Sequence, residues 1–153
     1  MNEETSQNKE RERAHYGHWV PIPTRWMDND VYGHVNNVTY YSYFDTAVND
    51  FLVREGGLDF HKGDVVGFVV ASGCQYLKPI AFPNALQVGV RVNRLGNSSV
   101  EYGVAVFKEQ DPLAVAVGYF THVFVSRGSQ RPAPMPAQIR AALTSLFEAK
   151  VES

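Results

Sequence analysis

One long stretch of this chain carries the period of a helix, and from there to residue 125 the sequence carries the period of strands. Tyr40, Phe44, Ala47, Val48, Phe51 and Leu52 fall at the i, i+4, i+7, i+8 spacing of a single buried face, which predicts a helix of about five turns. Either Asn36 or Asn37 can start it, because a short side-chain oxygen accepts from a backbone N–H one turn on. Gly56-Gly57 supplies the stop.

The flanking segments read as strands. His18 to Trp26 is aromatic and β-branched with two prolines, which suits an edge strand. After a short connection from Leu58 to Asp64, Val65 to Lys78 is a long β-rich apolar run that predicts a strand buried on both faces. Leu86, Val88, Val90 and Val92 alternate with polar or small residues, as do Val100, Tyr102, Val104 and Val106. Turn signals at Gly96-Asn97 and at Glu109 to Pro112 link these to Ala114–Val125 as three antiparallel, hairpin-connected strands. Past a Pro-, Gly- and Ser-rich stretch, Ala137 to Ala149 has the pattern of a short amphipathic helix. The order predicts an α+β fold, one helix covering one face of a curved antiparallel sheet. A sheet with a free edge, in a chain short for building its own cleft, predicts at least a homodimer.

The rest of the chain narrows the function. The first fifteen or so residues are polar and charged, predicting a disordered arm (1–15) before one domain (16–150), with no secretory h-region. No later segment is apolar enough to span a bilayer, so a cytoplasmic protein is expected. A net charge of −2 gives no electrostatic case for nucleic acid or an anionic membrane. Cys74, the single cysteine, excludes an intrachain disulfide and is expected to be packing. The histidines at 15, 18, 34, 61 and 122 show no paired ligand spacing, so no metal is expected.

What stands out is the loop ahead of the helix, Asp28-Asn29-Asp30-Val31-Tyr32-Gly33-His34-Val35-Asn36-Asn37. It is dense in turn formers and titratable groups. A helix start offers unpaired N–H groups and partial positive charge. A developing oxyanion would be stabilised there, and a nearby carboxylate kept ionised, able to attack a carbonyl or take a proton from water. A turn-forming or capping aspartate would use the same residues.

Arg25-Trp26-Met27-Asp28-Asn29-Asp30-Val31-Tyr32-Gly33-His34-Val35-Asn36-Asn37 with Tyr40 resembles the R-x-x-D-x-D-x-x-G-H-V-N-N-x-x-Y signature of hotdog-fold acyl-CoA thioesterases of the 4-hydroxybenzoyl-CoA thioesterase-like superfamily. The likeness continues through Tyr43-Phe44-Asp45, Gly96-Asn97-Ser98-Ser99 and Arg131 to Pro136. It implies a sheet wrapped around a central helix, two protomers joining sheets into one, and active sites at the dimer interface. It also implies that Asp30 is the catalytic carboxylate and that amides near Asn36 and Asn37 polarise the thioester carbonyl. Some related enzymes use a helix carboxylate instead, a position matched here by Asp45.

On this reading the catalytic set is Asp30, His34, Asn37 and Asp45. The substrate-binding set is Tyr32, Gly33, Asn36, Tyr40, Ser98, Ser99 and Arg91. Asp28 is expected to be structural, pairing Arg25. His34 is either proton donor to the leaving thiolate or a loop-orienting group. Tyr40 and Tyr43 are expected in the core or an interface, and His122 in the sheet. Arg91, Arg94 and Lys78 either meet the coenzyme A phosphates or form a solvated face, and Ser98 and Ser99 either meet the pantetheine arm or form a turn. The expected activity is hydrolysis of an acyl-CoA, or of an acyl carrier protein thioester, by a homodimer or homotetramer without a cofactor. A non-catalytic acyl-CoA sensor and a hotdog dehydratase or hydratase are the alternatives. The sensor would have no use for Asp30, and the other would need a His and a carboxylate placed to move protons at carbons alpha and beta.

Overall fold

In the structure, a computed structural model that describes residues 9–59 and 62–148, Asn36 caps helix α1 (Asn37–Arg54), its side-chain oxygen accepting from Val38 N at 3.0 Å. Gly57, with φ +65°, takes the left-handed turn after it. Tyr40, Tyr43, Phe44, Ala47, Val48, Phe51 and Leu52 are buried, the expected face with Tyr43 added. Each large apolar side chain so buried contributes about 1.5–3 kcal/mol.

Five antiparallel strands receive this face: β1 (His18–Pro23), β2 (Val65–Tyr76), β3 (Ala85–Leu95), β4 (Ser99–Lys108) and β5 (Ala116–Ser126). Their spatial order is β1-β3-β4-β5-β2. The sheet packs its inner side on α1, the hotdog arrangement, and helix α2 (Ala137–Glu148) buries Ile139, Leu143 and Leu146 in the same core. Arg140 of α2 donates to the carbonyls of Gly96 and Asn97, holding the β3–β4 turn.

β1 is an edge strand, as its prolines require. β2, expected to be buried on both faces, is the other edge: Phe68, Val69 and Val70 are 48%, 47% and 58% exposed in the protomer. The doubly buried strand is the central one, β4, where Val104 and Val106 join the inner core while Ala105 and Phe107 join a smaller outer one. An apolar run has the same composition whether its own chain or another covers it, and here its own chain does not.

The outer cluster exists because the N-terminal segment folds back. Residues 1–8 of the expected arm lie outside the described residues, but from Lys9 the chain is docked on the body. Glu12 bridges to Leu113, and Tyr16 lies against Gly89, where a Cβ would stand 2.8 Å from its ring. The Arg13 guanidinium lies over the Trp19 and Phe107 rings, 5.3 and 4.8 Å from their centroids. It also donates to the carbonyls of Asp111 and Lys108 and to the Gln87 side chain. Among the described residues no helix is long and apolar enough to cross a membrane.

Candidate active site

The loop between β1 and α1 is fixed from both sides. On one side the Asp28 carboxylate, 2% exposed, accepts from Arg25 N at 2.9 Å, from the Arg25 guanidinium, and from the Tyr43 hydroxyl of α1 at 2.8 Å. Burial alone would push this carboxyl up, but the Arg25 amide, the Tyr43 hydroxyl and the Arg25 charge outweigh it and hold it below the usual carboxylate range. On the other side Val35 N donates to Ile80 O at 2.7 Å and Phe82 N to the Asn29 side chain at 3.0 Å.

Between these anchors the chain makes a tight turn. Asp30 N donates to His34 O at 2.8 Å and Gly33 N to Asp30 O at 3.1 Å. Gly33 has φ +84°, a conformation a side chain would disfavour. One Asp30 carboxylate oxygen accepts from Tyr32 N at 2.8 Å. The other carboxylate oxygen accepts from no group among the described residues.

The start of α1 supplies the complementary donor. Asn36 N is taken by Asp28 O, Val38 N by the Asn36 side chain and Thr39 N by Asn36 O. Asn37 N–H has no acceptor among the described residues, and it carries the positive end of the helix.

Asp30 and Asn37 line one cleft of about 370 Å³ together with His34, Val35, Tyr40, Tyr76, Leu77, Lys78 and Pro79. Tyr40 and Tyr76 meet edge to face, ring centroids 4.9 Å apart, and the Tyr76 hydroxyl donates to Asn37 O at 3.0 Å. Burial pushes the Tyr40 phenol up to about 12 and the Tyr76 phenol higher still, so both are neutral donors near pH 7. The sequence reading did not name Tyr76, Leu77 or Pro79 as site residues. They enter from the end of β2, whose stop before Pro79 was the one local signal.

Thus Asp30, His34, Asn37 and Tyr40 come together, Gly33 and Asn36 shape the turn and the cap, and Tyr32 binds Asp30 through its amide while its ring stands in solvent. The remaining expected residues lie elsewhere in the protomer. Asp45 is on the exposed face of α1, bonded to Asn49, in a separate groove. Ser98 and Ser99 are at the β3–β4 turn, the opposite end of β3 from Ala85, beside which the loop lies. Arg91 is on the outer face of the sheet against His15, and Arg94 pairs with Glu101. Of the three cations considered for phosphates, Lys78 lines the cleft. His122 is buried among Tyr102, Phe120 and Phe124, outside the cleft. Among the described residues no three His, Cys, Asp or Glu side chains gather as metal donors.

Comparison with known proteins follows the same residues. The model of a family described as the thioesterase-like superfamily matches residues 24–143. The crystal structure of the PA5185 protein of Pseudomonas aeruginosa PAO1 is similar at 54% identity and a TM-score of 0.89, covering 92% of this chain and 98% of that one. The long-chain acyl-CoA thioesterase FadM of Escherichia coli K12 is 23% identical over 128 residues, 83% of this chain and 97% of its own. Slr0204 of Synechocystis, a 1,4-dihydroxy-2-naphthoyl-CoA thioesterase, shares the fold at 16% identity, a TM-score of 0.76, and coverage of 84% and 96%.

Proposed function

The chain belongs to the thioesterase-like superfamily and is a thioester hydrolase, and from that premise we propose that it is a cytoplasmic enzyme hydrolysing an acyl-CoA to the free acid and coenzyme A. The observation that carries the proposal is the pairing, in one cleft, of a half-free Asp30 carboxylate with the unpaired Asn37 N–H.

The thioester carbonyl sits between these two groups. Asp30 either attacks the carbonyl carbon or takes a proton from water that does so. The oxyanion that forms is held by Asn37 N–H, a contribution of about 3–4 kcal/mol where a single such donor has been removed. Collapse expels the thiolate, which takes its proton from His34 or from water. If Asp30 attacked directly, the mixed anhydride is then hydrolysed. A thioester is already activated, so no cofactor is needed.

The working unit we propose is a homodimer joined along β2. Ser99 pairs with Val123, which pairs with Phe68, so the Ser98–Ser99 turn and the Phe68 end of β2 share one end of the sheet. Tyr76 and the cleft share the other. Two β2 strands pairing antiparallel about a two-fold axis set the Phe68 end of one protomer beside the Tyr76 end of its partner. That arrangement supports a role for Ser98 and Ser99 at the partner's cleft.

Thiol release from a panel of acyl-CoA esters tests the reading. Asp30→Asn should lower turnover at least about 100-fold, within the range for a lost acid–base group, while acyl-CoA binding survives. Wild-type turnover in Asp30→Asn would end the assignment, and loss of turnover in Asp45→Asn instead would move it to the helix.

A further inference from the structure

The Asp30 loop is a small hairpin set at the head of α1. Asn29 and Val35 bridge its two limbs, and one rung nearer the helix Asn36 N donates to Asp28 O at 2.9 Å, so Asp28 and Asn36 form its base. Asp30 lies two residues beyond one side of this base, and Asn37, whose N–H has no acceptor among the described residues, follows directly on the other. The separation of the two groups assigned to the thioester is therefore set by how the base sits on the helix.

Two side-chain contacts hold Asp28 there, and they differ in strength. The Arg25 guanidinium donates to Asp28 Oδ1 from a side chain that is 64% exposed, where water competes and screening leaves the pair a small effect. The Tyr43 hydroxyl donates to Asp28 Oδ2 at 2.8 Å from the second turn of α1, and both residues are buried. The Tyr43 ring packs against that of Tyr40, centroids 6.2 Å apart, so the helix core fixes where the donor stands. Burial, and then the Asp28 carboxylate, push its phenol up, so it remains a donor near pH 7.

From this geometry, and resting on the thioester-hydrolase reading above, we infer that Tyr43 is a positioning residue for the reaction: through Asp28 it sets the Asp30 carboxylate against Asn37 N–H across the carbonyl. It touches no substrate. Its loss lets the hairpin shift on the helix without removing a group that binds the ester.

The test is kcat and KM for an acyl-CoA ester that the wild type hydrolyses, measured well below the melting temperature of every variant. Tyr43→Phe, which removes one hydroxyl and keeps the ring, should lower kcat about 10-fold and leave KM within about 2-fold, since displacing the reacting groups costs rate rather than affinity. Asp28→Asn, which weakens the same link from its other end, should give the same split. Arg25→Gln, which removes the exposed guanidinium, should keep kcat within about 2-fold. In an Asp30→Asn background the Tyr43→Phe loss should shrink to less than about 3-fold, because a residue that acts through the carboxylate has nothing left to position. Wild-type kcat in Tyr43→Phe with a lowered melting temperature would reduce Tyr43 to a stabilising residue and overturn the inference. An equal fall of kcat in Arg25→Gln would overturn it too, as would a Tyr43→Phe loss undiminished beside Asp30→Asn. Each of these outcomes leaves thioester hydrolysis standing. Absence of thiol release from every ester by the wild type would remove that reading, and this inference with it.

Discussion

Two buried titratable residues, Asp28 and His122, respond to acid in different windows. His122 is 2% exposed and neutral, and burial lowers its imidazole from 6.5 to about 4. The unfolded chain therefore takes up the proton first as pH falls. Stability should be level above about pH 6.5 and decline from there toward pH 4. His15, lowered to about 4 by burial and then by the Arg91 charge, adds to the same limb more weakly because it is more exposed. Melting temperature against pH should thus fall across that window in wild type and fall less in His122→Phe. Asp28 is also lowered in the fold but for the opposite reason, its Arg25 and Tyr43 partners outweighing burial, so its contribution is intact above about pH 4 and is lost only as pH drops further. Asp28→Asn removes a charge-assisted acceptor from Tyr43 and Arg25, and urea unfolding at pH 7 should show a loss of about 2 kcal/mol. Tyr43→Phe should lose about half as much, since the Arg25 bonds remain.

At the level of elements, the least expected contributor is the segment before β1. Arg13 makes three hydrogen bonds and lies over two rings, all to residues scattered across the chain. Arg13→Ala should cost about 1–2 kcal/mol in denaturant unfolding, with turnover unchanged because the outer face is remote from the cleft. None of this was legible in a polar sequence without periodicity, because what orders it is the distant Trp19, Phe107 and Gln87. Helix α1 was legible throughout, since its cap, its stop and its buried stripe are all local. The first half of the cleft was legible for the same reason, Asp30, His34 and Asn37 being neighbours in the chain. The second half was not, because Tyr76 and Pro79 reach the helix start only through the pairing of β2 with β5, and no local pattern encodes which strand a strand will join. Nor could a run such as Val65 to Tyr76 announce whether its neighbours come from its own chain.

On the scale of the whole molecule, that last ambiguity becomes the main structural question. An edge strand of twelve residues, apolar along its middle and exposed there, is the kind of surface that folded chains cover, shorten or charge. β2 is neither short nor charged, and its last residue, Tyr76, lines the cleft. A second copy pairing along it would bury Phe68, Val69 and Val70 and continue the sheet across both protomers. Val69 and Val70 are the residues to alter, because lysines there project from an already solvated edge, cost the isolated protomer little and set like charges against each other across the two-fold axis. In the double variant Val69→Lys, Val70→Lys, sedimentation at micromolar concentration should show a monomer where wild type shows a dimer or a larger even-numbered assembly. Circular dichroism should be unchanged, since the β2–β5 ladder and the core beneath α1 do not depend on these side chains. If the dimer proposed above is the working unit, thiol release should also fall at least about 10-fold, because the proposed placing of the partner's Ser98–Ser99 end near the cleft would be lost. A folded monomer with full turnover would show that one protomer holds the complete site, and the role proposed for Ser98 and Ser99 would then have to be abandoned.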